Sequence, residues 1–274
     1  MFELNSIYNP ITALPNVSSN AYTEIRPCIA LQPYIRCFWG TKVQMKNYEI
    51  PVRPVIPDTC MDIIFNVNYT KNTYNGKFCP LDEHTYYSPV SNNSDKVSIF
   101  AIRFYAWSAV LFADSSIKNN NKSYIDVDDL FHGLKNELAP VLCGAYFLKD
   151  KIEAAEKILI KKINMNRFNH KMMNGLFYII RNNGNIKISD MCSYTGVSKK
   201  TLERIFNENM GVSPKTIQSL MRYQLLWQDI YLHKRFNVFD AVLKYGYFDQ
   251  SHLLNDFKRR HSMTPKEALI LISK

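Results

Sequence analysis

Long apolar runs are missing from this 274-residue chain. Its longest runs, such as Ala109 to Ala113, fall far short of the roughly 20 residues that a membrane helix needs. The first five residues, Met1 to Asn5, lack the basic start and apolar stretch of a secretion signal. We therefore expect a soluble cytoplasmic protein without a membrane partner.

Motifs of metal and catalytic chemistry are missing as well. None of the six cysteines has C-x-x-C spacing, and the six histidines form no set with the spacing of metal ligands. The chain has no H-E-x-x-H, Walker A or G-x-S-x-G sequence. We expect buried free thiols, no metal, no cofactor and no enzymatic activity.

Charge is distributed unevenly along the chain. Residues 1–162 carry 17 basic and 16 acidic residues, whereas residues 163–274 carry 17 basic and only 8 acidic ones. A nearly neutral half joined to a basic half indicates that the second half binds a polyanion. Charge alone does not separate DNA from RNA, an anionic membrane or a solvated basic surface.

The first half of the sequence favours β-structure. Cys60 to Val67 and Val97 to Phe104 are largely apolar and predict strands, and Asn75-Gly76 predicts a hairpin turn. This pattern is typical of a small barrel or sandwich. From Trp107 the pattern becomes helical, with predicted helices at Val127 to Leu138 and Lys149 to Ile163.

The second half contains an internal repeat. The first copy runs from Ile188 to Pro214 and the second from Val238 to Pro265. Asp190 and Gly196 recur at an offset of 50, and the positions from Leu202 onward recur at an offset of 51, so the second turn contains one extra residue. A helix that precedes the first copy, Met172 to Ile180, is predicted to stop at residues 182–184.

Each copy has the form of a helix-turn-helix. A short helix ends at a glycine suited to the left-handed conformation, and a capping residue, Ser198 or Asp249, then begins the next helix. Within the second helix of the first copy, Leu202, Ile205 and Phe206 have the spacing of a core-facing stripe. The sequence therefore predicts two helix-turn-helix motifs.

These motifs resemble the AraC/XylS family of transcription regulators. The second copy carries Gly246-Tyr247-Phe248-Asp249-Gln250-Ser251-His252, Asp256-Phe257-Lys258-Arg259 and Met263-Thr264-Pro265. The first copy adds Gly196-x-Ser198, Leu202-x-Arg204-x-Phe206, Gly211 and Ser213-Pro214. A predicted linker helix from Pro214 to Tyr231 joins the copies and includes the expected Arg222. Together the motifs cover about 100 residues.

The first half resembles one subgroup of this family. The subgroup has a Pro-Tyr-Ile segment followed by an aromatic-Trp pair, present here from Pro33 to Trp39. It also has a Pro-Asp-Gly segment, present from Pro57 to Phe65, in which Thr59 replaces the glycine. The subgroup usually has Pro and Gly where this chain has Tyr105 and Ala106.

The resemblance implies an α+β protein of two domains. Residues 1–163 would form a β-rich, barrel-like sensor or dimerisation domain with flanking helices. Residues 169–274 would form an all-α DNA-binding domain with two helix-turn-helix motifs joined by a linker helix. We expect an activator whose partners are double-stranded DNA, RNA polymerase and a small-molecule effector, acting as a monomer or a homodimer. The residues that would either line an effector pocket or belong to the core are Trp39, Phe65, Phe104, Tyr105 and Trp107.

In this family the two recognition helices enter successive major-groove segments about 34–36 Å apart. The residues expected to contact DNA are Lys199, Lys200, Thr201, Arg204, Gln250, Ser251, Asn255, Lys258 and Arg259. Arg204 either reads a guanine edge or contacts phosphate or a neighbouring glutamate. Asn255 reads adenine unless the second motif only positions the protein. Arg260 and His252 are further candidates for phosphate contact.

The sequence is also compatible with two rival functions. Some AraC-type domains are fused to a DNA-repair domain that accepts a methyl group on a reactive cysteine, which would here be Cys37, Cys60 or Cys79. Such a role needs a clustered cysteine site, and these cysteines are scattered along the sequence. The other rival is a DNA-packaging protein without a preferred site.

Overall fold

The computed structural model describes residues 4–13, 22–46, 48–50, 54–87, 91–118 and 124–273. Within these residues the first half of the chain is built around a six-stranded antiparallel sheet of order β1-β2-β9-β5-β6-β10, with β3–β8 and β4–β7 as separate two-stranded sheets. The strands are β1 (Thr23–Ile25), β2 (Ile35–Gly40), β3 (Tyr48–Ile50), β4 (Pro54–Val55), β5 (Cys60–Asn68), β6 (Thr73–Cys79), β7 (Tyr86–Tyr87), β8 (Ser91–Asn93), β9 (Val97–Tyr105) and β10 (Ile125–Asp126).

The two longest strands, β5 and β9, lie next to each other and confirm the two strands predicted from the sequence. Along β5 the side chains of Met61, Ile63 and Phe65 are fully buried, and Asp62 and Ile64 between them are only half-buried. This period of two is what a strand with one core-facing side requires. Each strand extends one residue beyond its predicted end.

The predicted hairpin turn at Asn75-Gly76 is wrong. Both residues lie inside β6, paired with Asn66 and Phe65, and the chain turns at residues 69–72, where Asn72 has a positive φ of 50°. Gly76 has a packing role, because a Cβ atom there would lie 2.6 Å from the ring of Phe65 and 2.9 Å from Val127. The glycine at position 76 therefore does not mark a turn. It is present because a larger side chain would collide with the ring of Phe65.

Helices follow the sheet, with one break that the sequence did not predict. The predicted helix from Val127 to Leu138 is two helices, α2 (Val127–Leu130) and α3 (Leu134–Gly144), separated at Gly133, which has a left-handed φ of 73°. The predicted helix at Lys149 to Ile163 is confirmed as α4 (Leu148–Lys162). A four-residue helix, α1 (Leu4–Ile7), precedes the sheet.

The second half of the described chain is helical. No described helix is long and apolar enough to cross a membrane. The helices are α5 (His170–Arg181), α6 (Ile188–Thr195), α7 (Lys199–Met210), α8 (Pro214–His233), α9 (Val238–Tyr245), α10 (Gln250–His261) and α11 (Pro265–Ser273).

One hydrophobic core runs from the sheet into the first helix-turn-helix, and a second core lies around α8, α9 and α10. Phe65, Phe104, Tyr105 and Trp107 belong to the first core. Trp39 is half-buried on the other face of the sheet, where its Nε1 donates to Asp62 Oδ1 at 2.8 Å. Of the five aromatic residues considered for an effector pocket, only Trp39 therefore lies outside the core.

The N-terminal segment, residues 8–13, packs on α8 in the helical half. The buried amide of Gln224 accepts from Ile11 N–H at 3.0 Å and donates to Ile11 C=O at 3.2 Å. The Trp227 Nε1 group donates to the Thr12 carbonyl at 3.0 Å. Ala13 and Ile56 complete this contact by joining the second core. The sheet half is thereby attached to the helix that joins the two motifs.

Candidate DNA-binding surface

The first helix-turn-helix consists of α6 and α7. Gly196 ends α6 in the left-handed conformation, with φ 66° and ψ 35°. Ser198 then begins α7, and its side chain accepts a hydrogen bond from Thr201 N–H at 3.2 Å. Both features are those predicted from the sequence. They set the sharp angle between the two helices because the glycine reverses the chain and the cap restarts the helix.

The exposed face of α7 carries the residues expected to contact DNA. Leu202, Ile205 and Phe206 are buried as predicted. Lys199 and Lys200 are exposed and Thr201 is half-buried. Arg204 is 62% exposed, and its Nη1 lies 3.0 Å from Glu208 Oε2. An exposed ion pair of this kind contributes little and exchanges readily, so it leaves the guanidinium free to move to a DNA ligand.

The second motif consists of α9 and α10 and repeats the same plan. Gly246 ends α9 with φ 64° and ψ 40°, and Asp249 begins α10 by accepting from His252 N–H at 2.7 Å. The recognition-helix residues that the structure places on the exposed side are Gln250, Ser251, Asn255, Lys258 and Arg259. Leu254 is half-buried against the second core. The second motif therefore presents a less basic leading end than the first.

Arg260 corrects one expectation. It is only 1% exposed, its Nε donates to Asp256 Oδ1 at 3.2 Å, and its Nη2 donates to Ser219 Oγ at 2.9 Å on α8. Burial alone would raise the pKa of Asp256, but the charges of Arg260 and Arg222 and hydrogen bonds from Arg259 and Tyr247 hold it below its usual value. Arg260 thus joins α10 to α8, and the phosphate contact expected from its place in a basic run is wrong.

The linker helix α8 sets the distance between the motifs. Ser213 caps it by accepting from Thr216 N–H at 3.0 Å, and Pro214 occupies its first turn, where the missing N–H costs nothing. Its 20 residues correspond to a length of about 30 Å. The predicted linker from Pro214 to Tyr231 is confirmed, with two further residues at its end.

Two contacts fix the second motif against the linker and the first motif. The guanidinium of Arg222 lies 4.2 Å from the ring centroid of Tyr247, the residue after Gly246. Gly246 also packs so closely on Asn185, in the loop before α6, that a Cβ atom there would lie 2.1 Å from its side chain. No local pattern of residues points to Asn185, and Arg222 was expected only through the family resemblance.

The described residues were also compared with the requirements of a metal site and of a reactive-cysteine site. Within the ranges that the structure describes, no group of three or more His, Cys, Asp or Glu residues has the arrangement of a metal site. Cys37 and Cys60 are buried, and burial raises the pKa of both thiols. Burial likewise raises the pKa of Cys79 to about 12. Thiols in this state are weak nucleophiles.

Two protein-family models match this chain. Residues 191–269 match a model described as a helix-turn-helix domain. Residues 23–126 match a domain of unknown function, DUF6597. A comparison with curated proteins found no match.

Several solved structures are similar to the chain at low identity. ToxT from Vibrio cholerae is 12% identical, with 86% of this chain and 99% of that chain covered and a TM-score of 0.41. ToxT with a bound unsaturated fatty acid is also 12% identical, with 85% and 95% covered and a TM-score of 0.39. The xylose-binding transcription activator XylR is 16% identical, with 46% and 39% covered and a TM-score of 0.32.

The family match at residues 191–269 covers α7 to α10 completely and a little over half of α6 and of α11. It therefore includes both turns, both recognition helices and the linker. Two capped helix-turn-helix motifs on one linker helix are the DNA-binding arrangement that the sequence motifs predicted. This match identifies residues 191–269 as a helix-turn-helix domain, and within it the structure holds two capped motifs on one linker helix.

Proposed function

We propose that this protein is a transcription regulator of the AraC type, a sequence-specific activator that reads two successive major-groove segments of DNA with α7 and α10. The observation that carries the proposal is the pair of exposed recognition-helix faces held on one linker. Residues 169–274 form the DNA-binding unit and residues 1–163 the sensor or dimerisation unit. A single chain of this kind reads an asymmetric site, because its two motifs are not related by dimer symmetry.

The nine exposed or half-exposed residues on α7 and α10 divide into two roles. Lys199, Lys200, Lys258 and Arg259 contact phosphates, which gives affinity without sequence information. Thr201, Arg204, Gln250, Ser251 and Asn255 face base edges. Arg204 reads guanine and Asn255 reads adenine, since these pairs match in hydrogen-bonding geometry.

The test begins with binding of the protein to sheared genomic DNA from its source. The preferred duplex is then titrated against a scrambled duplex at two salt concentrations, with wild type, Arg204→Ala and Arg181→Ala. Arg181 is an exposed arginine at the end of α5, so the two variants lose the same charge. We expect Arg204→Ala to lose preference at one guanine, by about 1–3 kcal/mol, and Arg181→Ala to retain it.

A DNA-packaging function predicts a different outcome. The wild-type protein would then bind the scrambled duplex as tightly as any genomic fragment, at both salt concentrations. That result would overturn the proposed function. The methyl-acceptor alternative is disfavoured because Cys37 and Cys60 are buried and Cys79 is half-buried, and because the thiol pKa of all three is raised, whereas methyl transfer needs an accessible thiolate.

Regulation follows from the same proposal. An activator contacts RNA polymerase at the promoter, and the sheet half receives the controlling signal from a small-molecule effector or a protein partner. The contact of residues 8–13 with Gln224 and Trp227 supports this, because it joins the sheet half to the linker helix. The regulator works as a monomer or a homodimer.

A further inference from the structure

The turn of the second motif has one residue more than the turn of the first, and that residue is Phe248. Val197 and Tyr247 each follow a left-handed glycine and donate a backbone hydrogen bond to the carbonyl five residues earlier, at 3.2 and 3.1 Å. Ser198 and Asp249 each cap the next helix. Phe248 lies between Tyr247 and Asp249 and has no counterpart in the first turn.

The backbone of Phe248 is fixed while its side chain is 89% exposed. Its N–H donates to His252 Nδ1 at 3.3 Å, and the His252 ring lies edge-on to the buried Tyr247 ring at a centroid distance of 5.3 Å. The Tyr247 hydroxyl donates to Asp256 Oδ2 at 3.1 Å. These contacts hold the backbone of Phe248 in place, so its exposed phenyl ring lies at the N-terminal end of α10.

The leading ends of the two recognition helices differ in chemistry. The first begins with two exposed cations, Lys199 and Lys200. The second begins with the exposed and uncharged Gln250 and Ser251, directly after Phe248. The N-terminal end of a recognition helix is the part that meets base edges in the major groove. The second motif therefore brings an aromatic ring to the place where the first motif brings charge.

We propose that Phe248 is a specificity-determining residue of the second motif and packs on the 5-methyl group of a thymine. This methyl group is the apolar feature of the major-groove edges, and phenylalanine is among the side chains that contact it. Covering an exposed phenyl ring also removes apolar surface from water, which adds affinity. The inference rests on the proposed function, because it needs α10 in the major groove.

The test uses the full-length protein and the duplex that it prefers. Each thymine in the segment read by the second motif is replaced in turn by deoxyuridine, which removes only the methyl group. We expect wild type to lose about fourfold in affinity at one position. Phe248→Ala should bind the original duplex about tenfold more weakly and should no longer respond to that replacement.

Phe239→Ala is the matched control, because Phe239 is also an exposed phenylalanine, at 65%, but lies on α9 away from the start of α10. It should keep both the affinity and the response to deoxyuridine. Phe248→Leu should keep part of the response, since leucine remains apolar. Thermal unfolding of all variants should match wild type because both phenyl rings are outside the core.

The outcomes separate the inference from the proposed function. If wild type has a preferred duplex but Phe248→Ala binds it within twofold and keeps the same uridine response, the inference is wrong and the function stands. A uniform loss in Phe248→Ala, with no sensitive thymine in wild type, also rejects the specificity role. If wild type has no preferred duplex, the proposed function fails and the inference with it.

Discussion

Arg260 and His261 are adjacent at the end of α10, and both are only 1% exposed. Arg260 has a buried carboxylate partner in Asp256, so its charge is compensated. His261 contacts Tyr223 through Nδ1 at 2.8 Å, and its ring lies against Phe257 and Trp227. Burial without a compensating anion lowers the pKa of His261 to about 3. The folded domain therefore holds a neutral imidazole inside its second core.

We expect His261 to weaken the fold as the pH falls. Its folded-state pKa of about 3 lies below the ordinary value of 6.5, so between these values the unfolded chain binds the proton and the folded one does not. The contribution of the neutral ring to the free energy of unfolding is therefore fully present above pH 6.5. It is lost as the pH falls below this value, by up to about 1.4 kcal/mol per pH unit.

Urea unfolding at pH 7, 6 and 5 measures this contribution. Relative to wild type, His261→Gln should show a shallower loss of unfolding free energy toward pH 5. The same change at the exposed His170 should leave the wild-type slope intact. Equal slopes for wild type and His261→Gln would show that folding does not lower the pKa of His261.

At the scale of elements, the two turns are alike in backbone but differ in their surroundings. Gly196 and Gly246 have nearly the same left-handed φ, 66° and 64°. Around Gly196 the space is open, since the nearest atom to an added Cβ would be Lys171 Nζ at 3.6 Å. Around Gly246 an added Cβ would collide with Asn185 at 2.1 Å. The second turn therefore needs glycine for its conformation and also for close packing.

Substituting alanine for Gly196 and for Gly246 separates the cost of the left-handed conformation from the cost of close packing. Gly196→Ala should cost only the strain of a left-handed alanine, about 1–2 kcal/mol. Gly246→Ala should cost this strain plus a further 1–3 kcal/mol or so, because Asn185 must move. Denaturant unfolding of both variants gives the difference, and Asn185→Gly in the Gly246→Ala background should recover most of it. Equal costs for the two alanines would contradict a tight contact at Asn185.

For the whole molecule, the link between the halves depends on a few buried polar groups of α8. Gln224 is fully buried and bonds Ile11 through both its N–H and its carbonyl, and also Pro57 C=O at 3.2 Å. On the same helix, Gln218 bonds Gly184 C=O at 2.9 Å and Ile186 C=O at 2.8 Å, within the helical half. The two glutamines thus make similar bonds, one across the molecule and one inside a half.

Gln224→Ala should loosen the N-terminal segment specifically. The lost side chain leaves buried backbone groups without partners, which costs about 1–3 kcal/mol. Amide hydrogen exchange should show faster exchange at Ile11, because its N–H then has no acceptor. Gln218→Ala serves as the matched control and should leave Ile11 protected. Unchanged protection of Ile11 in Gln224→Ala would mean that the segment is held by its apolar contacts alone.

Local rules make the turns, caps and buried faces of the two motifs predictable from the sequence. Glycine followed by Ser198 or Asp249 predicts a turn and a capped helix, and apolar spacing predicts which face of α7 is buried; the structure confirms both. These signals act within a few residues of chain, so no tertiary contact is needed to read them. The exposed positions of Lys199, Lys200 and Arg204 follow for the same reason.

Features that depend on residues distant in sequence become visible only in the folded protein. Gly76 is a strand residue whose place is taken by glycine because Phe65 and Val127 leave no room for a side chain. Arg260 is buried because Asp256 and Ser219 receive it. The place of the second motif depends on Asn185 and Arg222, which are distant from it in the chain. Packing and compensation of charge are properties of the assembled neighbourhood, which a local pattern of residues does not contain.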